Sequence, residues 1–111
     1  MSNSQRNKGA RNEREAIRVI DDLLGVTTYR LRTPGQDADR GDLGGLPDTT
    51  IEIKSSANLT QALAGIYQCV DAQARNRHTH GVTLIRRPGG RWIAAMTVEQ
   101  WATLWREATE P

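Results

Sequence analysis

The chain has 111 residues, 37% of them apolar, with 15 Lys and Arg against 13 Asp and Glu, a formal charge of +2 at pH 7. That length holds one modest core and so a single domain over 1–111, and without a long apolar run or a leader pattern a cytoplasmic protein with no membrane partner is expected. The single Cys69 excludes an internal disulfide, and His78 and His80 lack the Cys or His partners of a zinc site.

Residues 1–5 are polar and are expected to fray. From about 8 to 24, Ala10, Glu13, Ile17, Ile20 and Leu24 recur three and four apart, with Val19 and Leu23 widening the stripe, which predicts an amphipathic helix. Glu13 falls on the apolar seam, where an acid is costly to bury unless a cation or water meets it. Its alternative use is as a helix-start carboxylate favoured by the macrodipole. Glu15 falls off the seam and is expected at the surface, and Gly25 ends the helix as a C-cap. Residues 26–32 are β-branched and aromatic enough for a strand, with Arg30 and Arg32 on one face. A polar loop follows over 33–40, in which Asp37 and Asp39 are expected to be solvated.

The chemistry concentrates between Gly41 and Ser55. From Thr50 to Ser55 the residues alternate, so that Ile51 and Ile53 lie on one side of a strand and Glu52 and Lys54 on the other. Gly44, Gly45, Pro47 and Asp48 form a turn that folds Asp42 back beside Glu52. Two carboxylates a few Å apart repel unless a cation sits between them, and hard oxygen ligands suit Mg²⁺. Such a site beside an ammonium fits phosphodiester hydrolysis. The same Glu-x-Lys pattern also arises on the solvated face of an edge strand, as a weak surface ion pair.

Asn58 caps a predicted helix over 59–77 with Leu59, Leu63, Ile66 and Val70 as its buried stripe, and Gly65 in its middle signals close packing. Cys69 lies within that helix and is expected to be a small buried residue. His78 and His80 are expected in a loop that faces phosphate. Residues 82–85 and 92–96 predict strands joined by a turn at Pro88, Gly89 and Gly90. Thr97 caps a last helix in which Val98, Trp101, Trp105 and Ala108 share a face, the tryptophans belonging to a core or an interface. The order is α-β-β-β-α-β-β-α. Residues 1–18 hold five basic residues against two acids, and residues 75–91 hold Arg75, Arg77, Arg86, Arg87 and Arg91 against none, two segments that could bracket a polyanion.

An acid on the first helix, then Asp42, then Glu52-x-Lys54, in a helix followed by three strands and a second helix, together resemble the PD-(D/E)XK nuclease superfamily. The opening Lys8-Gly9-Ala10-Arg11-Asn12-Glu13-Arg14-Glu15 is similar to the K-G-x-x-x-E-R-E start of archaeal-type Holliday junction resolvases. The run from Arg40-Gly41-Asp42 through Pro47-Asp48 to Ile51-Glu52-Ile53-Lys54 is similar to small resolvase-like proteins of actinobacterial phages. The resemblance implies an α/β fold with a restriction-endonuclease-like αβββαβ core, a central mixed sheet flanked by helices, and an extra C-terminal strand and helix. It implies Asp42 and Glu52 as Mg²⁺ ligands together with the backbone carbonyl of Ile53, with Glu13 completing the cluster directly or through water and Mn²⁺ able to substitute. Lys54 would orient or help deprotonate the attacking water, and Glu15 would be structural. Asp48 is set aside as the motif acid because it lies only four residues before Glu52.

The expected partners are branched or duplex DNA and a second copy of the chain, in a bacterial or phage-infected cell. Lys8, Arg11, Arg14, Arg30, Arg32, Arg40, Arg75 and Arg77 are the expected DNA contacts. The leading expectation is a Mg²⁺-dependent junction-resolving endonuclease that acts as a homodimer. The alternatives are another PD-(D/E)XK endonuclease of restriction, repair or replication, and a nucleic-acid-binding module without catalysis.

Overall fold

A computed structural model describes residues 3–31 and 40–110, with side chains from residue 8 onward. Arg32, Asp37 and Asp39 lie outside these residues. The chain runs α1 (Asn3–Leu24), β1 (Tyr29–Arg30), β2 (Leu43–Gly44), β3 (Thr49–Ser55), α2 (Leu59–Leu63), α3 (Gly65–Asn76), β4 (His80–Arg87), β5 (Arg91–Ala95) and α4 (Val98–Thr109). The fold is α/β, and the five strands form one mixed sheet in chain order. β3 and β4 are parallel while the other neighbours are antiparallel. A parallel pair needs a long crossover, which α2 and α3 supply. No described helix is long and apolar enough to cross a membrane.

Strand alternation decides what each face of the sheet carries. Ile51 and Ile53 join Ala16 and Ile20 of α1 and Leu43 in the core, with Val82, Leu84 and Trp92 packed against it. Glu52 and Lys54 therefore point the other way, towards α3. Glu52 is only 2% exposed, so these residues are not the solvated face of an edge strand.

Several expectations are corrected. Residues 3–5 belong to α1 and are helical. The apolar stripe of α1 stops at Ile20. The chain reverses at Gly25 (φ 66°), whose N–H donates to Asp21 O, and the last-turn residues Leu23 and Leu24 stay exposed. Of the strand expected over 26–32, the described residues form strand at Tyr29–Arg30. Thr28 gives its N–H and its hydroxyl to Asp21 Oδ1, both at 2.9 Å, so its amide is unavailable to a strand ladder. β4 starts earlier than expected and takes in His80.

The second helix is divided at Ala64, and its buried face is not the expected one. Ala62, Gly65, Cys69 and Ala72 meet the sheet, whereas Leu59, Leu63 and Val70 are exposed. Small side chains let the helix backbone come close, near enough for Thr83 Oγ1 to donate to Gly65 O at 3.2 Å. Cys69 is buried as expected, its thiol 3.7 Å from Thr50 O.

Candidate active site

The sharp turn between β2 and β3 returns Asp42 to the edge of β3. Its N–H donates to Ile51 O at 2.8 Å, its carbonyl accepts from Leu31 N at 2.9 Å, and its Oδ2 accepts from Ile53 N at 2.7 Å. These bonds on either side of Glu52 fix the Asp42 carboxylate against the strand that carries the second acid. Gly41, at φ 98°, makes the approach possible, since a Cβ there would lie 3.1 Å from both Ile51 O and Thr50 Cγ2.

A cleft of about 500 Å³ opens beside this strand, lined by Lys8, Gly9, Asn12 and Glu13 of α1, by Asp42, by Glu52, Ile53, Lys54 and Ser55, and by Gln68 of α3. Three separate segments thus bring together Lys8, Glu13, Asp42, Glu52, Ile53 and Lys54. A second cleft of about 350 Å³ lies between β1, β2 and the end of α3, and the described residues that line it include no carboxylate. Glu13 is held by Arg30, its Oε2 2.7 Å from Arg30 Nε, so this arginine serves an acid of the cleft.

Among the described residues, no three of His, Cys, Asp and Glu stand together as a ready metal-holding group. The donors at hand are the carboxylates of Asp42 and Glu52 and the backbone carbonyl of Ile53. All are hard oxygens, and two carboxylates is the number with which Mg²⁺ is usually held while it keeps several waters. A buried carboxylate beside a second one also favours a cation between them. This donor set fits Mg²⁺ and does not fit zinc.

The remaining expected residues lie elsewhere. Arg11 and Arg14 flank a different surface of α1 with Glu15, Ile17 and Arg18. Arg40 donates to Arg75 O at 2.9 Å and to Asn76 Oδ1 at 3.2 Å. α3 starts beside Lys54 and ends beside Thr50, so Arg75 and Arg77 lie towards the first residues of β3, away from Lys54, and Arg40, two residues before Asp42, turns the same way to meet the end of α3. His78 and His80 do not form a phosphate-facing loop. His78 Nδ1 is 2.9 Å from Thr50 Oγ1, and His80 opens β4 with Nε2 2.7 Å from Glu107 Oε2. Asp48, in the turn at φ 55°, accepts from Thr79, whose hydrogen bonds hold its carboxyl below the usual carboxylate range.

Glu15 is not a free surface acid. It accepts from Trp92 Nε1 at 2.9 Å and from Arg86 Nε at 3.1 Å, and the Trp92 hydrogen bond, ahead of Arg86, holds its carboxyl below the usual range. Asn12, Ser55 and Gln68 are cleft residues that sequence reasoning passed over. Asn12 and Ser55 adjoin singled-out residues, a signal that was there, whereas Gln68 reaches the cleft only through the packing of α3. Comparison with family models, with curated proteins and with solved structures finds no match to this chain.

Proposed function

We propose that the chain is a Mg²⁺-dependent DNA endonuclease with a restriction-endonuclease-like core, acting on branched DNA and, by preference, on four-way junctions as a homodimer. The observation that carries this reading is the convergence of Lys8, Glu13, Asp42, Glu52 and Lys54 on one cleft, with Glu52 buried. An acid pair of this kind is of little use to a protein that only binds phosphate, because it repels the ligand.

Asp42, Glu52 and the Ile53 carbonyl would hold Mg²⁺, which supplies charge neutralisation and polarisation at the phosphate. Lys54, on the same strand face as Glu52, stabilises negative charge that develops on the phosphate and orients the attacking water. Lys8 at the cleft wall attracts the DNA backbone. Glu13, held by Arg30, adds a further acceptor that can orient water at the acid pair.

The test is cleavage of a synthetic four-way junction beside matched linear duplex and single strand, with Mg²⁺ and with chelator. Symmetric nicking of the junction alone, lost with chelator, is expected. Mg²⁺-dependent cutting of every substrate would keep the site and make the protein a general nuclease. Tight binding with no cutting would end the catalytic reading.

A further inference from the structure

Along α4 the large apolar side chains face solvent. Val98, Trp101 and Trp105 are 74%, 56% and 58% exposed. With Ala108, also exposed, they recur at intervals of three, four and three, the spacing by which two helices interlock their side chains. The other face ties α4 to its own domain. Gln100 is buried, accepts from Gln73 and donates to His80 Nδ1, while Glu107 meets His80 Nε2. Trp101 and Trp105 stack with centroids 6.2 Å apart and planes at 27°, so the exposed stripe is already shaped. An apolar helix face of this size on a small domain marks an interaction site.

We propose that this face is the two-fold interface between two copies of the chain, with α4 packed antiparallel on α4 of the second copy. The three-four-three spacing reads the same in both directions, so a two-fold alignment sets each Trp101 beside Trp105 of the other copy, as a self-complementary contact requires. Charge selects the antiparallel sense. Glu99 stands in the first turn and Arg106 in the last, one heptad apart on one flank. Antiparallel packing brings each acid to the side and end that carry the other copy's arginine, whereas parallel packing puts the two flanks on opposite sides of the pair and joins no Glu99 to an Arg106. The opposed helix dipoles favour the same sense.

The area sets the strength. With aromatic side chains burying about 150–250 Å² each, the stripe offers roughly 400 Å² per copy and about 800 Å² in the pair. That is below the roughly 1,200 Å² of standard interfaces and makes the dimer reversible unless the neighbouring edge strand β5, with Ile93 exposed, adds to it. α4 joins the sheet at the first residue of β4, whereas the acid cleft lies along the later half of the parallel strand β3, so pairing leaves both clefts open. This inference rests on the homodimer of the proposed function, to which it assigns a surface, and not on the chemistry of the cleft, which the measurement below does not involve.

The experiment is sedimentation equilibrium of the full chain over a concentration series, with circular dichroism to follow folding. The wild type is expected to show a monomer–dimer equilibrium. Joint Trp101→Glu and Trp105→Glu substitution is expected to weaken it at least about a hundredfold, as loss of paired aromatic anchors does. Glu99→Arg and Arg106→Glu, at exposed positions, are each expected to weaken it, and together to restore it. A monomer at every concentration, or a dimer indifferent to the tryptophan substitutions, overturns the proposal. Weakening by single charge reversals without recovery in the double variant overturns the antiparallel sense.

Discussion

A Cβ on Gly65 would lie 2.5 Å from Lys54 Cγ and 3.0 Å from Lys54 Cε. The lysine stem therefore lies in a space that exists only because α3 begins with a residue without a side chain. Gly65→Ala is expected to displace Lys54 and slow single-turnover cleavage by at least about tenfold, while DNA affinity changes little. The overpacking should cost about 1–3 kcal/mol, less roughly 1 kcal/mol regained from helix propensity, which a denaturant titration reads. Equal losses of rate and affinity would make Lys54 a phosphate contact only. Asp42→Asn and Glu52→Gln act on the other half of the site. Each would remove a charge that the proposed Mg²⁺ site needs and also one that repels phosphate, so cleavage should vanish while binding, measured in chelator, is kept or tightened. Normal cleavage by either variant would remove that residue from the metal set.

Between elements, Glu15 is the clasp that joins α1 to the β4–β5 hairpin through Arg86 and Trp92. Its carboxyl is held below the usual range, so its contribution is present in full above the ordinary carboxylate value and is lost as pH falls through the lower folded value. Glu15→Gln keeps an acceptor for Trp92 and removes the charge facing Arg86. With the side chain 30% exposed, the loss at neutral pH should be about 1 kcal/mol or less. Thermal melts should show the two proteins converging as pH drops below about 4. This clasp was illegible in the sequence because its partners lie 71 and 77 residues away. The period-two alternation around Glu52 and the turn at Gly44–Asp48 are local signals, so the hairpin, the two faces of β3 and the return of Asp42 were legible. The buried face of α2 and α3 was not. Periodicity points to Leu59, Leu63 and Val70, but approach distance decides, and Ala62, Gly65, Cys69 and Ala72 allow a closer seat on the sheet.

At the scale of the whole molecule, 48 × 34 × 29 Å, a cation count is a poor guide to where the proposed DNA substrate would be met. Arg30 serves Glu13, Arg86 serves Glu15, and Arg87 donates to the carbonyls of Ser56 and Ala57. Lys8 lines the cleft itself, whereas Arg75 and Arg77 end α3 at the far end of β3. A phosphate seated at the acid pair would face Lys8, whereas the other two stand towards the first residues of β3. Each phosphate contact adds about one to the slope of log affinity against log salt. On a short duplex whose length confines it to one cleft, with Mg²⁺ replaced by chelator, Lys8→Ala is expected to lower that slope by about one. Joint Arg75→Ala and Arg77→Ala should leave it unchanged. If both changes lower the slope, the DNA runs the length of β3 and the footprint includes the far end. If only the arginine pair lowers it, DNA is bound away from the acids and the cleft loses its claim to the scissile phosphate.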